Sequence, residues 1–317
     1  MIINILTILA GIALVLWGAD RLTDGAVGIA QRMRIPQLVI GLTIVAMGTS
    51  MPEFCVSLVS AIEDKPDLAV GNVVGSNIFN ALFIVGITAL VAPITISRVT
   101  VAKDIPFALV ASALLMILCI NDWRITRVDA AVLFALFVVF MVLTIRGALE
   151  SRSHEEEGQE STSAQPMKVW KACMWIVVGL ACLIFGSDWF VKGATAVAKS
   201  FNISDAVIGL TIVACGTSLP ELATSVVSAR KGDSGIAIGN VLGSNVFNIL
   251  MILGLTGLIS PMAIQGITTI DLAVMVVSMM LLWLFSFTKY RVERWEGAVL
   301  VLVFAAYLTH LITAAIA

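Results

Sequence analysis

The chain has 317 residues, 59% of them hydrophobic and only 13% charged, with a mean hydropathy of +1.03 and a formal net charge of −2. A soluble domain carries about 25% charged residues, so the composition excludes a surface that faces water throughout. The slightly acidic balance also excludes a nucleic-acid binder, which needs a basic face. Five cysteines are scattered through apolar runs, and the two histidines sit in a polar loop (His154) and near the C-terminus (His310), so neither residue type forms a metal-binding cluster.

Apolar runs between charged or Pro/Gly-rich breaks predict about ten membrane spans, near residues 2–20, 37–62, 68–92, 104–121, 128–147, 170–190, 205–229, 235–259, 270–288 and 296–316. Each approaches the roughly 20 residues that carry a helix across about 30 Å of hydrocarbon. Lipid cannot hydrogen-bond to exposed backbone, so only helices or a closed barrel can span it, and the period-two alternation of barrel strands is absent. The expected fold is an all-α membrane protein. Met1–Thr7 lacks a basic stretch ahead of its apolar run, so no cleaved signal peptide is expected. The one long break, Glu150–Pro166, is acidic, Ser-rich and nearly free of apolar residues, which reads as a solvated linker. The expected organisation is a first half over 1–149, a linker over 150–168 and a second half over 169–317. Lys and Arg in alternate loops divide about 14 against 5, the richer side including the linker. The positive-inside rule then places the linker in the cytoplasm and both termini outside, in a multi-pass protein of the cell membrane.

The decisive feature is repetition. GLTIVAMGTSMPEFCVSLVSAIEDKPDLAVGNVVGSNIFN begins at Gly41, and GLTIVACGTSLPELATSVVSARKGDSGIAIGNVLGSNVFN begins at Gly209, without a gap and with about 24 of 40 positions identical. Asp20 with Asp188, Gly25 with Gly193 and Pro93 with Pro261 keep the same spacing. Each half holds about five spans, and an odd number makes the second half enter from the opposite face. The expectation is two inverted five-helix repeats, an architecture of secondary transporters that opens a midplane site to either side.

Within GTSMPE and GTSLPE stand Glu53 and Glu221. An ionised side chain at the bilayer centre costs at least about 2.5–3.5 kcal/mol, and a cation between two carboxylates offsets that cost. Pro52 and Pro220 lack an N–H and clash with the carbonyls of Gly48 and Gly216. The helix is expected to open there, freeing carbonyls around Ala46–Thr49 and Ala214–Thr217 beside Thr49, Ser50 and Glu53. In the following span Asn72, Ser76 and Asn80 fall at steps of four, as do Asn240, Ser244 and Asn248. Asn72, Asn77, Asn240 and Asn245 are read as interhelical hydrogen-bonding residues, and Ser76, Asn80, Ser244 and Asn248 as ion ligands. Gly71, Gly75, Gly239 and Gly243 are expected to permit close helix approach. Every candidate ligand is an oxygen, which suits hard cations, sodium and calcium above all.

The GTSxPE and GSNxFN blocks, paired in inverted halves, resemble the two α-repeats of sodium/calcium exchangers of the cation/calcium exchanger superfamily, specifically the short microbial branch; the likeness runs along nearly the whole chain. The resemblance implies ten helices, with the second and third of each half forming a four-helix core that the first and sixth helices slide across. It implies cation ligands from Ala46, Thr49, Ser50, Glu53, Ser76 and Asn80, and from Ala214, Thr217, Ser218, Glu221, Ser244 and Asn248. Asn248 departs from relatives, including the potassium-moving branch, that carry aspartate there, and this makes the site more symmetric. The implied activity is antiport of sodium against calcium by alternating access at one shared site. Rival readings are proton/calcium exchange through the same glutamates and a cation channel. An enzyme is not expected, because no HExxH occurs and no intramembrane histidine stands near a serine. Nor is any cofactor expected. The expected partners are sodium ions, calcium ions and the lipid bilayer, around a monomer.

Overall fold

A computed structural model describes residues 1–155, 167–201 and 214–316. Helix α1 runs from Ile2 to Met33, about 48 Å at 1.5 Å per residue. It therefore continues past Asp20, where the apolar run predicts the span to end. Charge ends an apolar stretch, but it does not end a helix. Nothing in DGAVGIAQRM interrupts the hydrogen-bond ladder until Arg34 turns left-handed (φ 53°) ahead of Ile35–Pro36. Its counterpart α7, Val169–Ser200, overruns its predicted end at residue 190 in the same way.

The remaining elements follow in order: α2 (Gln37–Thr49), α3 (Met51–Ile62), α4 (Pro66–Val91), α5 (Thr100–Asp122) and α6 (Arg127–Glu155) in the first half. After α7 come α8 (Ala214–Thr217), α9 (Leu219–Lys231), α10 (Ser234–Ile259), α11 (Thr269–Ser286) and α12 (Arg294–Ile316). Among the described residues eight helices are long and apolar enough to cross a membrane, and α2 with α3 makes a ninth crossing bent by 48°. Of the span expected over 205–229, residues 205–213 lie outside the described residues, and α8 and α9 are its remainder. Within the linker expected over 150–168, α6 stays helical to Glu155; polar composition argues for solvation, not against a helix. Residues 156–166 lie outside the described residues.

Burial separates core from periphery. The most apolar window of α10 is 94% buried and that of α4 is 78% buried, against 22% for α1. α4 and α10 each widen into one π-helical stretch, Phe79–Ile84 and Phe247–Ile252, at matching places in the two repeats. α2 lies backbone to backbone on α10: a Cβ on Gly239 would stand 2.7 Å from the Leu38 carbonyl oxygen, and one on Gly243 would stand 2.7 Å from that of Leu42. The close-approach reading therefore holds for Gly239 and Gly243. At Gly75 a Cβ would meet nothing within 4 Å, and at Gly71 only Ile267, among the described residues.

Two short antiparallel pairings tie the halves together. β1 (Ile94–Thr95) pairs with β4 (Arg291–Val292), and β2 (Arg124–Ile125) pairs with β3 (Met262–Ala263). Each joins a loop of one half to a loop of the other. The acids near helix starts are mostly caps: Asp129 accepts from Thr126, Asp271 from Thr268 and Glu296 from the Glu293 N–H.

α1 and α7 pack antiparallel through glycines seven residues apart. Gly11 meets Gly186 and Phe190, Gly18 meets Gly179 and Cys182, and Gly25 meets Ala172 and Ile176. A Cβ on Gly179 would lie 2.7 Å from the Leu22 nitrogen and 2.8 Å from the Gly18 carbonyl oxygen, backbone atoms that cannot give way. Gly179→Val is therefore expected to destabilise the protein by about 1–3 kcal/mol, seen as a lowered midpoint of thermal unfolding in detergent.

Candidate cation site

The break in the bent crossing falls at Ser50 (φ −83°, ψ 8°), with Pro52 at the second position of α3; Ser218 (φ −90°, ψ 8°) and Pro220 repeat it in the second half. Pro52 has no N–H to give the Gly48 carbonyl. The ladder resumes with the Phe54 N–H on the Ser50 carbonyl at 3.0 Å, matched by Leu222 on Ser218 at 3.1 Å. One expectation needs correcting. The Ala46 carbonyl is not released by the proline, because the Ser50 N–H still donates to it at 3.0 Å and the Thr49 hydroxyl reaches it at 3.3 Å. A missing donor at position 52 acts four residues back, at Gly48, and so spares Ala46.

The break carries Glu53 and Glu221 to the centre, each 1% exposed. Their carboxylates are held crosswise. Ser50 donates to Glu221 Oε1 at 2.9 Å, and Ser218 donates to Glu53 Oε1 at 3.0 Å. Each repeat thus supplies the donor for the other repeat's acid. Thr217 stands beside the Glu53 carboxylate, and Thr49 and Ser244 stand beside that of Glu221. Ser76 Oγ lies 3.4 Å from Ser218 Oγ. The two carboxylates are close enough to repel one another.

A second tier of amides backs these groups. Asn72 Nδ2 donates to the Glu53 carbonyl at 3.1 Å and to Ser57 Oγ at 2.9 Å, while Asn240 Nδ2 donates to the Glu221 carbonyl at 3.2 Å and to Ser225 Oγ at 3.0 Å. Asn80 Nδ2 donates to Asn245 Oδ1 at 3.0 Å, and Asn248 Nδ2 donates to Asn77 Oδ1 at 3.2 Å, both between α4 and α10. The interhelical role expected of Asn77 and Asn245 is thus present. Ser57 and Ser225 escaped sequence reading, although both repeats keep a serine there. Each hydroxyl ties α3 or α9 to the next helix, at 3.3 Å to the Ala69 carbonyl and 3.4 Å to that of Ala237.

The structure therefore gathers Thr49, Ser50, Glu53, Ser76, Thr217, Ser218, Glu221 and Ser244 around two acids, with Asn80 and Asn248 on the same two core helices as Ser76 and Ser244. Ala214 begins α8, and its side-chain surroundings lie outside the described residues. Several oxygens in this set are buried and have no hydrogen-bond partner among the described residues: Glu53 Oε2, Glu221 Oε2, Asn80 Oδ1, Asn248 Oδ1 and Ser244 Oγ. A buried oxygen left unpaired costs about 1–3 kcal/mol, more when charged. A hard cation, which takes oxygen ligands alone, suits all five.

Comparison with known proteins gives a consistent result. The family model described as sodium/calcium exchanger protein matches residues 3–146 and 171–313. A putative antiporter, CaxA, of Alkalimonas amylolytica is 39% identical over 97% of this chain and 98% of its own length. The sodium/calcium exchanger MaX1 of Methanosarcina acetivorans is 31% identical over 96% of this chain and 97% of its own. The solved structure of the sodium-calcium exchanger NCX_Mj, soaked with sodium and calcium, superimposes with a TM-score of 0.84 at 29% identity, covering 98% of each chain.

The crossed bonds can be tested one at a time. Ser50→Ala removes the donor to Glu221, and Ser218→Ala removes the donor to Glu53. Each is expected to cost about 1–3 kcal/mol in thermal unfolding without added cations. The pseudo-symmetry makes the two losses equal to within about 1 kcal/mol.

Proposed function

Because the chain belongs to the sodium/calcium exchanger family, we propose that it is a secondary antiporter that exchanges sodium for calcium by alternating access at the site around Glu53 and Glu221. The observation that carries this reading is the pair of crossed Ser–Glu hydrogen bonds with unpaired oxygens beside them. The ligands are Thr49, Ser50, Glu53, Ser76 and Asn80, with Thr217, Ser218, Glu221, Ser244 and Asn248, and the carbonyls of Ala46 and Ala214. One calcium ion neutralises both carboxylates, or sodium ions spread over the hydroxyl and amide oxygens replace it. The protein then binds and carries ions without covalent chemistry or a cofactor.

Coupling follows from charge. An uncompensated carboxylate at the bilayer centre costs at least about 2.5–3.5 kcal/mol, so reorienting an empty site with two of them adds roughly 5–7 kcal/mol. That slows the empty transition by about four to five orders of magnitude, whereas a loaded site reorients without the cost. Sodium and calcium compete for the same oxygens, so one must leave before the other is carried back. The glycine-faced pair α1 and α7 is the moving part, and α4 and α10 are the fixed core. The Lys and Arg asymmetry supports a cytoplasmic linker with both termini outside.

In proteoliposomes, uptake of radiolabelled calcium is expected to need an opposing sodium gradient and to survive collapse of the pH gradient. Uptake that follows protons and ignores sodium assigns the site to proton/calcium exchange instead, and flux without any counter-ion assigns it to a channel. Glu53→Gln and Glu221→Gln are each expected to abolish calcium transport while the protein still inserts and purifies. Near-normal exchange by either variant overturns the shared site.

A further inference from the structure

Asn240 and Asn77 touch neither carboxylate, yet each is wired so that its amide can face only one way. Asn240, fully buried, points its nitrogen at the Glu221 backbone carbonyl and at Ser225 Oγ. The carbonyl can only accept. Ser225 gives its own proton to the Ala237 carbonyl, so it too must accept from the amide. Asn240 Oδ1 is therefore turned to Thr49, whose hydroxyl lies 3.0 Å from it and 3.3 Å from the Ala46 carbonyl. Of the two neutral acceptors Asn240 Oδ1 is the nearer, and the third acceptor beside the hydroxyl is the Glu221 carboxylate, which a bound cation would occupy. With the Thr49 proton on Asn240, the Thr49 lone pairs and one Ala46 lone pair are left for a cation.

Asn77 does the same for Asn248. Its nitrogen lies 3.4 Å from the Asn245 backbone carbonyl, again an acceptor alone. Its Oδ1 is thus committed to accept the Asn248 amide N–H at 3.2 Å. Asn248 must then present Oδ1, which is buried and has no partner among the described residues. Asn80 is held less firmly: the Asn245 amide that accepts from it has a buried nitrogen with no partner among the described residues.

We propose that Asn240 and Asn77 are positioning residues that set the polarity of the cation site, acting through Thr49 and Asn248 so that oxygen lone pairs, and not N–H or O–H groups, face the ion. The assignment rests on the cation-site reading above. It makes the orientation of neutral ligands a property of amides anchored on backbone carbonyls, fixed before any ion arrives.

Equilibrium binding of radiolabelled calcium to the purified full-length protein in sodium-free detergent tests this without requiring transport. Asn240→Leu and Thr49→Val are each expected to weaken binding about tenfold, and the double variant no more than about twofold beyond the weaker single, the non-additivity of residues that act as a unit. Multiplied losses in the double variant, or unchanged binding by Asn240→Leu, overturn the proposal. Should Asn240→Leu fail to purify as a monodisperse species, Asn77→Leu with Asn248→Leu forms an independent cycle with the same expectation. Asn77→Asp, which keeps the acceptor facing Asn248, is expected to bind within about threefold of the parent or more tightly; equal loss in Asn77→Asp and Asn77→Leu refutes the positioning role. A parent protein that binds calcium without sodium-driven flux refutes exchange and leaves this proposal standing, whereas a parent that binds no calcium refutes both.

Discussion

Two carboxylates share a buried centre, and each is held by a serine from the opposite repeat. Most of the local architecture answers this one electrostatic constraint. Glu53 and Glu221 are buried from water here, and the ion pairs of Lys231 with Asp20 and Asp24 involve neither of them. Their compensation must come from hydroxyl and amide dipoles, supplied by helices broken at Ser50 and Ser218. The proline two residues on prevents the break from closing. Behind it the half-buried Asn72 and the buried Asn240 hold the carbonyls of Glu53 and Glu221.

Around this centre the molecule separates into surfaces of different character. α2, α4, α9 and α10 exchange polar bonds and backbone contacts across the pseudo-symmetry axis, and they specify one arrangement closely. α1 and α7 meet through glycines that bring backbone against backbone, with Val15, Leu22, Ile176 and Leu183 packed beside them and Trp17 edge-on to Trp175. The pair joins the core through an apolar patch that takes in Ile40, Val45, Ala223 and Ile236. Polar bonds add to it: Thr23 bonds Ser228 at 2.9 Å, and Lys231 bridges to Asp20 and Asp24. Half-exposed ion pairs of this kind contribute little stability.

Most of the fold could be read in the sequence, because lipid makes composition and helix length nearly equivalent. The bend at Ser50 and the central glutamates were legible for a stronger reason: the chain states them twice. What failed was finer. The ends of α1 and α7 were placed at charges, when the helix obeys backbone signals such as the left-handed Arg34. The carbonyl expected to be freed was displaced by the four-residue reach of a proline. The glycine seam between α1 and α7 was present as glycines seven apart in both halves, yet only Gly25 with Gly193 stood out. The crossed partners could not be read at all, since a repeat tells which residues are equivalent and not which ones meet.

Ser50 bonds Glu221 and Ser218 bonds Glu53; β1 meets β4 and β2 meets β3. In each case residue i of one half touches the counterpart of j, and j touches the counterpart of i, which is the isologous rule of a twofold dimer interface. Here the dimer is folded within a single polypeptide. Because both partners lie on one chain, the two sides are free to differ, and residue 231 shows it, a lysine where the first half has Glu63.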